Sequence, residues 1–165
     1  MKKRIICFVM IFSLIVTLCP LTASAASTDG YEYKTKYLEP RWIVTKGYAS
    51  GQAKGGAKFS NGGGWYYSPA GGTKVKTEVR LSKTFGYATF TTTLGKVGAS
   101  TGYYISAPKD KKNYYKLYVT KRVKVKPYVT YRKLKHQSNA KWKIYYKGFY
   151  YLDDDYDFKA VKVKK

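Results

Sequence analysis

After Ala26, apolar and polar side chains alternate with a period of two between clusters of Gly, Pro and Asn, and no stretch sustains a helical period. Such alternation puts one face of a strand against a core and the other in water. Val75, Thr77, Val79 and Leu81 share one face, with Lys76, Glu78 and Arg80 opposite. The threonine-rich run Thr84 to Leu94 leads through Gly95 to Gly102 into Tyr103, Tyr104 and Ile105, which predicts a hairpin with a long loop.

The clearest alternation runs from Tyr114 to Lys126. Tyr115, Leu117, Val119, Val123 and Val125 fall on one face, and Lys116, Tyr118, Arg122, Lys124 and Lys126 on the other. Lys121 interrupts the apolar face, as a bulge, a strand boundary or a stem snorkelling to the sheet edge would. Pro127 has no amide proton to give and is expected to end this ladder, with Tyr128 to Leu134 forming the next strand. After a polar turn, Trp142, Ile144 and Tyr146 alternate with Lys141, Lys143, Tyr145 and Lys147, and Gly148 ends or bends the strand. Asp153 to Asp157 then reads as an acidic turn before Val161 and Val163. The pattern predicts an all-β, antiparallel, single-domain sandwich or small barrel of about seven to nine short strands.

The first residues set the compartment. Lys2, Lys3 and Arg4 precede an apolar run from Ile5 to Leu18 and the small-residue tripeptide Ala23-Ser24-Ala25, the three parts of a secretory signal peptide. A spanning helix needs about 20 apolar residues and this run is shorter. Lipidation at Cys19 is disfavoured because Leu18 stands where a small residue is wanted. Residues 1–25 are therefore expected to be cleaved, leaving residues 26–165 as one secreted domain. Cys7 and Cys19 both lie in the leader, so the mature chain folds without disulfides.

Charge changes the picture further. The whole chain carries a formal +23, and the mature part holds 29 Lys and Arg against 9 Asp and Glu. Solubility alone calls for a net charge of about 2 to 8, so such a field points to anionic partners. Outside a cell these are envelope or matrix polymers and anionic membrane surfaces, with intracellular nucleic acid excluded by the address. Even spacing makes Lys116, Arg122, Lys124 and Lys126, with Lys141, Lys143 and Lys147 on a later strand, the candidate polyanion surface. Tyr118, Tyr145 and Trp65 are the candidate aromatic contacts. The competing reading is that these lysines guard exposed strand edges, and that Trp65 covers one end of the core.

Other chemistry finds little support. The stretch Gly47 to Gly72 holds nine of the 15 glycines and reads as a mobile loop or bulged strands. Its Gly51-Gln-Ala-Lys-Gly-Gly-Ala-Lys run fails as a phosphate loop because Ala57 follows Gly56 where Lys is required. Asp153 to Asp157 begins like a calcium loop, but Phe158 and Lys164 occupy the positions that need Gly and Glu, which leaves only a looser cation site built from several loops. His136 is the only histidine and no nucleophile elbow or marked carboxylate pair accompanies it. The expectation is a non-enzymatic binding protein with no cofactor or metal. Two alternatives remain: a membrane-active effector of bacteriocin type using the threonine-rich hairpin, and a structural matrix protein that self-associates through opposite charges.

Overall fold

The computed structural model describes residues 29–164; the expected signal peptide, residues 1–25, lies outside the described residues. Those residues form ten strands and no helix: β1 Tyr31–Tyr37, β2 Arg41–Tyr48, β3 Ala57–Phe59, β4 Gly64–Ser68, β5 Lys74–Ser82, β6 Gly86–Thr93, β7 Lys96–Val97, β8 Tyr103–Ser106, β9 Asp110–Leu134 and β10 Lys143–Val163. The all-β, antiparallel expectation holds, and the sheets do not close into a barrel.

β9 is the spine. Its 25 residues correspond to about 80 Å of strand at roughly 3.3 Å per residue. β10 follows one edge from Lys143 opposite Arg132 to Val163 opposite Tyr114. Along the other edge β1, β2 and β3 lie end to end, facing Leu134 to Tyr128, Val125 to Tyr118, and Tyr115 to Asp110. The result is a long sheet three columns wide.

Pro127 does not end the ladder as the sequence suggested. Its carbonyl accepts the Leu38 amide at 2.9 Å, and in a strand the N–H and C=O of one residue face the same neighbour. The missing N–H therefore falls at the joint between β1 and β2, so no ladder bond of a continuous edge strand is lost. Gly148 likewise does not interrupt β10, and Asp153 to Asp157 is strand rather than turn.

The odd-numbered residues of β9 face inward. Leu117 and Val119 pack with Trp65, Tyr67, Leu94 and Ala49 beneath the small sheet β7-β4-β8. Val123 and Val125 meet Ile43 and Phe90, and Val129 meets Leu81 and Phe85, beneath the β5–β6 hairpin. The predicted face of Val75, Thr77, Val79 and Leu81 is the one turned inward, but β5 pairs with β6, while the Tyr103–Ser106 strand pairs with β4. The two arms of the predicted hairpin thus belong to different sheets, and Phe90, Thr92 and Leu94 of its threonine-rich arm are buried. Two short strands, β3 and β4, fall inside the glycine-rich region. Gly64 shows why glycine is used there: a Cβ would stand 2.1 Å from the Ile105 carbonyl oxygen.

Lys121 is neither a bulge nor a boundary. It keeps register with Thr45 and Tyr156, is buried on the inner face, and places Nζ 3.8 Å from Asp154 Oδ2 and 5.2 Å from the Tyr156 ring centre. Burial pushes its pKa down, opposed by the Asp154 charge. Burial alone would push the Asp154 carboxyl up, but hydrogen bonds from Tyr151 and Tyr156 and the charge of Lys121 bring it below the usual carboxylate range.

Burial, then the charge of Asp154 and the proximity of Tyr103, push the Tyr67 phenol up to about 12. Tyr156 and Tyr151 are raised by burial and then by hydrogen bonding to Asp154. A raised phenol favours the neutral form in the folded state. Its contribution to stability is complete below the unfolded value of about 10 and is lost as pH rises through the folded value. Phenolate absorbance should therefore keep a late step as pH rises, because burial holds the Tyr67 phenol neutral up to about 12. A single step for all tyrosines would contradict this packing.

Candidate anion-binding face

Because odd residues of β9 serve the core, the even ones define the opposite face, which none of the described residues covers with a second layer. Lys116, Tyr118, Arg122, Lys124 and Lys126 lie there as the alternation predicts, followed by Tyr128 and Arg132. Their cross-strand neighbours are Tyr48 beside Tyr118, Val44 beside Arg122, Trp42 beside Lys124, Tyr37 beside Tyr128 and Tyr33 beside Arg132.

Aromatic rings separate the cations. Lys116 Nζ lies 5.5 Å from the Tyr48 ring centre, Lys124 Nζ 5.9 Å from Trp42, and Lys126 Nζ 5.3 Å from Tyr37. Arg132 sits between two rings, 4.7 Å from Tyr31 and 4.6 Å from Tyr145. Each exposed cation–π contact is worth about 0.5–1 kcal/mol, enough to offset much of the repulsion between like charges spaced two residues apart. The rings hold the ammonium and guanidinium groups in place without neutralising them.

Arg122 behaves differently. Its guanidinium reaches Asp155 at 2.6 Å and Asp157 at 2.8 Å, and the Asp155 hydrogen bond leads the effects that raise its pKa. Asp153 occupies the register position opposite Lys124. The acidic strand segment thus compensates the middle of the face. Asp154 points the other way, to Lys121, so the run does not converge on one point. Among the described residues no group of three or more His, Cys, Asp or Glu side chains could hold a metal ion.

The later lysines separate. A bulge between Ile144 and Tyr146 breaks the period of two. Lys143 therefore faces outward opposite Arg132, while Lys147 turns inward and donates to the carbonyls of Phe85 at 2.5 Å and Tyr87 at 3.3 Å. Lys147 pins the β5–β6 hairpin and does not belong to the cationic row. Lys141 precedes β10 in the exposed turn. With Arg132, Lys133, Lys143, Tyr31 and Gln137 it lines a cavity of about 250 Å³. Trp65 is also corrected: it is 6% exposed and packs edge-on to Phe59 at 4.8 Å, so it is core.

Sequence reasoning missed the tyrosines that frame the row. Tyr31, Tyr33 and Tyr37 alternate with Glu32, Lys34 and Lys36, a signal that was available in the period of two. Tyr128, Tyr146 and Tyr150 join them. Tyr128 and Tyr150 have ring centres 4.8 Å apart, Tyr37 and Tyr150 5.8 Å, and Tyr128 and Tyr146 5.9 Å. Gly148 makes this terrace possible, since a Cβ there would come within 2.5 Å of the Tyr128 ring.

The remaining titratable candidates have structural explanations. Asp110 opens β9 by accepting from the Asn113 side chain, the Lys112 and Asn113 amides and the Tyr115 hydroxyl. These bonds, led by Asn113, hold its carboxyl well below the usual range. His136 is exposed in the β9–β10 turn. No helix among the described residues is long and apolar enough to cross a membrane. Comparison with protein-family models, curated proteins and solved structures gives no match.

Proposed function

We propose that this is a secreted, non-enzymatic protein that binds anionic polymers of the cell envelope or extracellular matrix through the uncovered face of its long sheet. Secretion rests on the N-terminal sequence. Binding rests on one observation above all: Lys116, Lys124, Lys126 and Arg132 line one open face, each positioned by an aromatic ring. A linear row of cations matches a linear row of anions, and the association would be driven by release of the polymer's counterions. The long sheet with two small sheets against its inner face supports a sandwich form of the all-β class.

The test is binding of the mature chain to isolated envelope polymer over a range of salt concentrations. The expected result is a logarithm of affinity that falls linearly with the logarithm of salt. Affinity insensitive to salt would refute the reading. Dye release from anionic vesicles separates it from a membrane-active effector, since a polymer binder leaves vesicles intact.

Self-association is the second reading, favoured by β10. Its 21 residues pair only with β9 among the described strands, and its middle is acidic where β1 and β2 carry Lys34, Lys36, Arg41 and Lys46. An open edge of this kind can template pairing with another chain. Sedimentation at low salt checks it: growth in size with concentration supports assembly, and a strict monomer rules it out.

A further inference from the structure

We infer that the polymer is an anionic polysaccharide, sugar rings bearing phosphate or carboxylate groups, and that it is recognised at the β9–β10 turn end of the face rather than along its whole length. This rests on the polyanion reading above and narrows it.

Charge distribution selects the end. In the middle, Arg122 is held by two carboxylates and Lys124 lies opposite a third. Towards the turn, Lys126, Arg132, Lys141 and Lys143 have no ion pair among the described residues, while Glu32 pairs with Lys133 at 2.9 Å and Asp29 accepts from the Tyr33 hydroxyl. An anion approaching the face meets uncompensated charge at this end.

The rings select the chemistry. Tyr37, Tyr128, Tyr146 and Tyr150 form a continuous patch with neighbouring planes tilted by 36° to 53°, and Tyr37, Tyr146 and Tyr150 are about half exposed. The π face of a phenol is negative and meets favourably the weakly positive C–H face of a sugar ring. Phenol hydroxyls at the ring edges can donate to and accept from sugar hydroxyls. A polymer of anions alone would leave this terrace unused. A second copy offering the same face would bring cation against cation.

The cavity beside the terrace supplies the charged end of the site. At about 250 Å³ it is smaller than sites for whole ligands, which begin near about 300 Å³. It suits one charged unit of a chain whose neighbours lie on the tyrosines. Arg132, Lys133, Lys141 and Lys143 surround it, and Gln137 adds a donor and an acceptor.

The experiment uses two carboxylate polymers matched in charge, polygalacturonate with sugar rings and polyglutamate without them, and measures their affinity for the mature chain at low salt. Polygalacturonate should bind more tightly by about tenfold, a preference of the size expected from a few ring contacts. The double variant Tyr146→Ser with Tyr150→Ser, two rings of the terrace that hold no cation of the row, should bring polygalacturonate down to the affinity of polyglutamate, while Tyr146→Phe with Tyr150→Phe should retain the preference. Lys141→Gln with Lys143→Gln should weaken both polymers. Equal affinity of the wild-type chain for the two polymers overturns the inference without needing any variant to fold. Tighter binding of single-stranded oligothymidylate than of polygalacturonate also overturns it, by making the rings a base-stacking platform. Failure of both carboxylate polymers to bind at low salt refutes the polyanion reading itself.

Discussion

Replacing Tyr67 by alanine should lower the unfolding free energy by about 3–5 kcal/mol, the range for removing a large buried aromatic. Tyr67 is fully buried. Phe158 and Tyr156 of β10 lie edge-on to its ring at 4.8 and 6.1 Å, and its hydroxyl donates to the Leu94 carbonyl at 3.2 Å. Its strand also carries β7 and β8. The cavity would open between the small sheet and the spine. Domains of ordinary size are stable by about 5–15 kcal/mol, so the loss would be a large share of the total. Tyr67→Phe should cost only about 1 kcal/mol, the net worth of one hydrogen bond. Denaturant unfolding measures both: a lower midpoint with an unchanged slope gives the stability change directly. An unchanged midpoint for Tyr67→Ala would mean that β4 does not pack on the long sheet.

The second large effect concerns binding. Changing Lys126, Arg132, Lys141 and Lys143 together to glutamine should weaken polyanion binding at low salt by about a hundredfold or more, and flatten its salt dependence by about three, at roughly 0.7 per contact for a flexible polymer. Arg122→Gln provides the contrast. Asp155 and Asp157 already occupy its guanidinium, so this variant should leave the salt dependence nearly unchanged. Lys147→Gln should also leave binding unchanged while loosening the β5–β6 hairpin that Lys147 holds. Affinity measured across a salt series, variant by variant, decides among these outcomes. A large loss with Arg122→Gln would mean that the row acts as one uniform ladder, contrary to the compensation described above.

Much of the spine was legible because a strand repeats every two residues and β9 obeys that rule from Leu117 to Val129. Leu117, Val119, Val123 and Val125 separated from Lys116, Arg122, Lys124 and Lys126 on alternation alone. Three errors had one origin, the use of local signals where the answer depended on neighbouring strands. Pro127 is harmless only because its missing N–H falls at the joint between β1 and β2. Lys147 left the row because one bulge at Tyr145 reversed the inward and outward positions after it. Asp153 to Asp157 resembled a turn by composition, yet it pairs with the basic residues of β9, so that Arg122 and Lys121 supply the counter-charge for a strand. The tyrosine terrace combines residues from β1, β9 and β10. No single window of sequence contains it.

The order of strands along the chain also bears on when the long sheet can form. β1, β2 and β3 all pair with β9, so Tyr31 waits for Leu134 and Tyr48 for Tyr118. Until the C-terminal third of the chain has been made, β1, β2 and β3 have no sheet to join, while the β5–β6 hairpin and the small sheet β7-β4-β8 already have all their strands. Pairings of such long sequence separation form slowly. A chain built this way completes its long sheet only once β9 is free to gather the strands on both of its edges, and under the secretion proposed above that delay would keep the chain threadable through a narrow export channel.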